Sequence, residues 1–170
     1  MLRDDEFADV YESRFVSGET LMERFYRPVL ADAVRYDRIA GYLSLRTLAN
    51  ALQGIDSMLE NNGQIRVIAG GELQKAEKGK LLPDADEPLP PRVKSQLSVI
   101  GELLDDGELT IKIADTVKGE GIFHPKLGII VDGQWDAVTF EGSVNETFGG
   151  WKRNFERIKV HRSWVDGEGK

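Results

Sequence analysis

Apolar residues keep two different periods along the chain. Leu21, Phe25, Val29 and Leu30, with Ala33 and Val34 behind them, hold the spacing of one helix face. Ser17-Gly18-Glu19-Thr20 opens that stretch as a helix entry, and Pro28 inside it predicts a kink or a restart. Arg38-Ile39-Ala40-Gly41-Tyr42-Leu43 reads as a buried strand. Ser44 then caps a second helix, whose apolar face is Leu45, Leu48, Ala49, Leu52, Ile55 and Leu59; Asn61-Asn62-Gly63 ends it. Ile65 to Ala69 is a second strand, closed by Gly70-Gly71. Strand, helix and strand within about thirty residues make a βαβ unit, which pairs its strands in parallel.

The stretch from Glu72 to Pro91 carries Pro83, Pro88, Pro90 and Pro91 among mixed charges and reads as a loop or insertion. A helix is predicted from Val93 to Leu104, with Leu97, Ile100 and Leu104 facing inward and Asp105-Asp106-Gly107 as its stop. Beyond it the period drops to two. Leu109 to Ile113, Phe123 to Val131, Ala137 to Phe140 and Phe155 to Val160 read as strands, with Asp132-Gly133 as a hairpin turn. The expected fold is one α/β domain over residues 1–170, a mixed β-sheet flanked by helices on both faces. Residues 1–12 are acidic and expected to fray.

Composition narrows the function. The 170 residues carry a net charge of −7, which excludes a uniformly basic nucleic-acid coat but leaves room for a local basic groove. With Cys 0 and His 2 there are no disulfides, thiolate metal sites or cysteine nucleophiles, and no histidine-rich metal cage. The absence of a membrane-length apolar run and of a charged-then-apolar leader makes the cytoplasm the expected compartment, with no membrane partner. Between Gly142 and Trp164, five Lys and Arg face two Glu, so Lys152, Arg153 and Arg157 are candidate contacts to a polyanion. Asp84 to Glu108 runs the other way, with seven acids against Arg92 and Lys94, and should lie away from such a groove. Trp151 and Trp164 have the chemistry to stack on bases, though core packing is the commoner use of tryptophan.

Three clusters carry chemistry. In Phe123-His124-Pro125-Lys126, the His and Lys are two apart, so on a strand they share a face; an imidazole and an ammonium converging on one spot suit a phosphate. In Glu141-Gly142-Ser143-Val144-Asn145-Glu146-Thr147, Ser143 and Asn145 are able to donate to an anion, although the same residue types also build ordinary turns. In Asn154-Phe155-Glu156, Glu156 alternates onto an otherwise apolar strand face beside Ile158 and Val160 and needs a partner there, either a histidine or an arginine.

Taken together, His124, Lys126, Ser143, Asn145 and Glu156 resemble the phospholipase D superfamily, whose signature is H-x-K, then a G-S-x-N form, then a downstream acid in its nuclease branch. The likeness is strongest over residues 122 to 160, and Tyr26 to Leu48 also resembles the opening of helicase-associated domains of this kind. One position departs from the pattern. The Asp expected five residues after the Lys is Val131, and the acid stands one later, at Asp132, which strand alternation turns to the other face unless a bulge intervenes.

The resemblance implies a phospholipase D-like fold and a metal-independent, cofactor-free phosphodiesterase, most simply a DNA nuclease. His124 would attack phosphorus to form a phosphohistidine. Lys126, Asn145 and Ser143 would stabilise charge on the equatorial oxygens, and Glu156 would orient His124. A second histidine must protonate the leaving group. His161 lies at an odd offset from Glu156, so a homodimer supplying a second His124 is expected. The competing readings are a non-cleaving nucleic-acid-binding module of a helicase or DNA-defence protein, which would make this chain a piece of a larger one, and, lower in rank, a lipid-acting enzyme. RNA ranks below DNA as the nucleic-acid partner.

Overall fold

Among the described residues, seven strands build the centre of the molecule, and buried and exposed positions alternate along residues 64–69 and 157–160. The computed structural model describes residues 1–3, 14–17, 21–41, 43, 55–70, 91–116, 121–143 and 155–165. The strands are β1 (Arg14–Ser17), β2 (Ala33–Ala40), β3 (Gln64–Gly70), β4 (Leu109–Ala114), β5 (Leu127–Asp132), β6 (Ala137–Gly142) and β7 (Phe155–Arg162). They form one sheet in the order β1-β7-β6-β5-β2-β3-β4. β2, β3 and β4 run parallel, and β5, β6, β7 and β1 are antiparallel to their neighbours, so the sheet is mixed, as expected.

The helices follow their sequence signals with local adjustments. One π-helical turn, Met22–Tyr26, passes into α1 (Arg27–Ala31), with Pro28 in the first turn of α1. A proline lacks the N–H that a helix start leaves unused, so the predicted kink takes the form of a change of helix type. Helix α2 is described over residues 55–60. It ends where Asn62 turns left-handed (φ 56°) and Gly63 donates its N–H to Met58 O at 2.9 Å. Helix α3 (Pro91–Asp105) stops at Gly107, whose φ of 76° suits glycine. Residues 72–90 of the expected insertion and the first part of the second helix fall outside the described residues, and Pro91, the insertion's last expected residue, instead opens α3. Among the described residues, no helix is long and apolar enough to cross a membrane.

One face of the sheet is packed. Tyr36 and Arg38 of β2, Ile65, Val67 and Ala69 of β3, Ile130 of β5, Val138 and Phe140 of β6, and Ile158 and Val160 of β7 are buried there. Phe25, Tyr26, Val29, Leu30, Ile55, Met58, Ile100 and Leu103 from the helices join the same cluster. Arg38 is 1% exposed, and its guanidinium carbon lies 5.1 Å from the centroid of the Phe140 ring, an arrangement in which the ring face offsets part of the cost of burying the charge. The Phe140 ring also covers Gly128, where any Cβ would collide with it.

Three expectations are corrected. Ser17 closes β1 rather than opening a helix, because Arg14–Ser17 pairs with β7, a contact too distant in sequence for a four-residue segment to betray. Ala33 and Val34, read as helical, belong to β2, since Asp32 ends α1 and the ladders to β3 and β5 take over. The start of the chain is anchored rather than frayed. Leu2 is fully buried, its N–H donates to Asp132 Oδ2 at 3.0 Å, the Met1 ammonium pairs with Asp32 at 2.7 Å, and Arg3 pairs with Asp136. Residues 4–12 lie outside the described residues.

Candidate active site

Parallel strands leave their carboxyl ends without a hydrogen-bonded cover, and ligands in open α/β sheets bind there. At that end, β2 runs out into Gly41 and β3 into Gly70. Residues 121–126 precede β5 without joining a ladder, because Pro125 has no N–H to give. The strand predicted from Phe123 therefore starts only at Leu127. Phe123 and His124 instead cross the two glycines. A Cβ on Gly41 would sit 2.6 Å from His124 Cδ2 and 3.0 Å from its Cα, and a Cβ on Gly70 would sit 2.7 Å from Phe123 O. Only glycine lets the histidine segment come this close.

The His-Lys pair meets without a strand to align it. Lys126 Nζ lies 2.9 Å from His124 Nδ1 and 3.0 Å from Nε2, and donates to His124 O at 3.2 Å. An ammonium can only donate, so the ring nitrogen it engages is an acceptor. His124 is exposed and Lys126 half-buried.

Gly142 ties the second cluster to the first, its N–H reaching Lys126 O at 3.4 Å. A Cβ on Gly142 would collide with Arg157 O, so the close pairing of β6 and β7 here requires glycine. Ser143 follows. Its N–H donates to Arg157 O at 3.0 Å, and its Oγ accepts the Arg157 N–H at 3.1 Å. The hydroxyl is thus positioned by the backbone of β7. Arg157 itself is exposed.

Of the residues the sequence singled out, His124 and Lys126 are in contact, Ser143 follows the glycine that bonds Lys126 O, and Arg157 meets Ser143 through its backbone. Asn145, Lys152 and Arg153 lie outside the described residues, as does Trp151. Glu156 stands in β7 opposite Val16, and its side chain also falls outside the description. His161 pairs with Thr139, which pairs with Ile129, so it sits two strands across from β5 (~10 Å) and well down the sheet from His124. Its ladder position, more than its face, keeps it from the site. Asp132 is at the other end of β5 from Lys126. There it is 1% exposed and accepts the N–H groups of Gln134 (2.9 Å), Asp136 (3.0 Å) and Leu2. It shapes the hairpin and holds the chain start. Trp164 is half-buried against the core with the Arg3 guanidinium 5.9 Å from its ring centroid, a packing role.

Sequence reasoning named Gly70 only as a strand end and Gly41 only as a position inside a strand, and gave neither a role at the site. Among the described residues, no three His, Asp or Glu side chains are grouped to hold a metal ion.

No family model matches the chain, and no curated protein matches it in sequence. Solved structures do match. NucT from Helicobacter pylori superposes with a TM-score of 0.53 at 16% identity, over 88% of this chain and 83% of its own. Phosphatidylserine synthase from Haemophilus influenzae gives 0.55 at 12% identity, over 90% of this chain and 35% of its own. A variant of yeast tyrosyl-DNA phosphodiesterase 1 gives 0.54 at 14% identity, over 88% of this chain and 32% of its own. The chain spans most of the first and about a third of the other two. All three are phospholipase D superfamily proteins, and this chain has their fold.

Proposed function

We propose that the protein is a metal-independent phosphodiesterase that cuts nucleic acid, DNA rather than RNA, through a covalent phosphohistidine on His124. The observation that carries this reading is the Lys126 ammonium held 2.9 Å from the His124 ring at the carboxyl end of the parallel strands, with Ser143 tethered beside it. One of the similar folds belongs to a protein named as a tyrosyl-DNA phosphodiesterase, which supports the same class of chemistry.

In this mechanism a ring nitrogen of His124 forms a bond to phosphorus as the bond to the leaving oxygen breaks. Lys126 and Arg157, with Asn145, Lys152 and Arg153 from the neighbouring segment, meet the charge on the phosphate oxygens, and Glu156 steadies the imidazole. The leaving oxygen takes a proton from a second imidazole, which then activates the water that releases the phosphoryl group. His161 is too far to serve, so the second His124 of a homodimer fills that role.

The test is cleavage of single- and double-stranded DNA in excess chelator. His124→Ala should abolish it with the fold intact, and Lys126→Ala should lower turnover by about 10²–10³-fold. If wild type binds DNA without cutting it, and Lys126→Ala loses only affinity, the protein is instead a binding module, as would suit a helicase-associated domain. Full inhibition by chelator with rescue by a divalent ion would refute the metal-independent chemistry.

A further inference from the structure

The face of the sheet opposite the core is not bare of shape. Ile39, Ile68, Leu127 and Ile129 floor a cavity of about 510 Å³ there. Ile68 is 37% exposed and Leu127 36%, so this floor is open to solvent. The volume falls within the range of about 300–1,000 Å³ that small ligands occupy. One end of the cavity points along the strands toward the His124 segment, with Leu127 in its lining. Continuing two residues along β2 and β3 from Ile39 and Ile68 leads to Gly41 and Gly70, the two glycines that Phe123 and His124 cross. The other end is polar. Arg66 grips Asp37 with two hydrogen bonds of 2.6 and 2.5 Å, which also raise the Arg66 pKa above its usual value, and Arg35 pairs with the same carboxylate at 3.1 Å, so two guanidiniums share one acid. Lys112 is exposed on the rim, one strand further out, and forms no ion pair with the described residues.

We propose that this cavity is a subsite for one unpaired nucleotide next to the phosphate attacked by His124, which makes single-stranded nucleic acid the preferred substrate. The inference rests on the phosphodiesterase reading above. A flat aliphatic floor takes the face of a base whatever its sequence, and Lys112 and Arg66 lie where the next phosphate along the strand would pass. A base inside a duplex is stacked and paired and cannot be laid on a sheet without first being pulled out. The polar end argues against an acyl chain. An alkyl tail running down the floor would cover the Asp37–Arg66 pair and strip its water without replacing it.

The test compares two esters and two oligonucleotides on the full chain. Bis(p-nitrophenyl) phosphate offers the phosphodiester alone, and thymidine 5′-(p-nitrophenyl) phosphate adds one nucleoside. Wild type should prefer the thymidine ester, and single strand over blunt duplex, by about tenfold or more in kcat/KM, the scale of burying about 56 Å² of the base against the aliphatic floor. Ile68→Glu and Lys112→Glu, both at exposed positions, should erase that preference by raising KM for the nucleoside-bearing substrates. Preferences that survive both changes overturn the subsite, as does an equal loss on both esters. Loss of phosphatidylcholine hydrolysis in mixed micelles, with the nucleotide preference intact, overturns it in favour of a lipid tail. If wild type hydrolyses no substrate, the phosphodiesterase reading falls. Anisotropy of a labelled single strand then decides the subsite: tenfold weaker binding in Ile68→Glu supports it, and unchanged binding overturns it.

Discussion

Gly41→Ala tests the proposed site through a residue that does no chemistry. The added Cβ would stand 2.6 Å from His124 Cδ2, 3.0 Å from Cα and 3.2 Å from Cγ. Carbon atoms settle at about 3.5–4.0 Å, so the ring must retreat by about 1 Å and the backbone by about half as much. The ring is exposed and can swing away, but the backbone behind it is wedged, since Phe123 O and Gly41 O both crowd the Cα of Gly70. A misplacement of about 1 Å in a reacting group costs on the order of 10²-fold, or about 2.7 kcal/mol of transition-state stabilisation. The effect on folding should be smaller. Gly41 is not in the left-handed region, so alanine gains about 0.4–1 kcal/mol through the unfolded chain, against about 1–3 kcal/mol for overpacking. The net loss of up to about 2.6 kcal/mol moves Tm by no more than about 10 °C. The assay is kcat on a chromogenic phosphodiester, paired with a thermal melt. Gly101→Ala in α3 is the matched control. Nothing lies within 4 Å of its Cβ, so it should stabilise the helix by about 0.5–1 kcal/mol and leave kcat alone. If Gly41→Ala turns over within threefold of wild type, His124 is not held where the chemistry happens.

Other changes separate scaffold from site. Asp132→Ala should destabilise the protein by several kcal/mol in denaturant melts, because it strands the N–H groups of Leu2, Gln134 and Asp136 at about 1–3 kcal/mol each, while activity per folded molecule stays at the wild-type level. Gly128→Ala should cost about 1–3 kcal/mol or more, since its Cβ has no room under Phe140, and a melt within a degree of wild type would contradict the packing. For the dimer, light scattering should give twice the monomer mass at micromolar concentration. His124→Ala chains mixed with wild type should depress activity beyond dilution, and an active strict monomer would refute the shared site.

Much of the architecture was legible in the order of residues because local rules govern it. Period-two runs placed β3, β4, β6 and β7 within a residue or two, and the Asn62-Gly63 and Gly107 stops fell where left-handed backbone is needed. The His124, Lys126 and Ser143 signature was legible for a different reason: phosphate chemistry demands those groups, and their spacing survives whatever the backbone does between them. Tertiary structure decided the rest, because each remaining feature depends on a partner far away in sequence. β1 exists only against β7. His124 and Lys126 meet off the strand that was expected to align them, held instead by close approach to Gly41 and by the Gly142 N–H on Lys126 O. Asp132 reads from sequence as an acid one place late and turned to the other face, and strand length further puts it at the opposite end of β5, bound to the second residue of the chain. A sequence specifies which groups are available, and the distance between them is set only when the sheet closes its register.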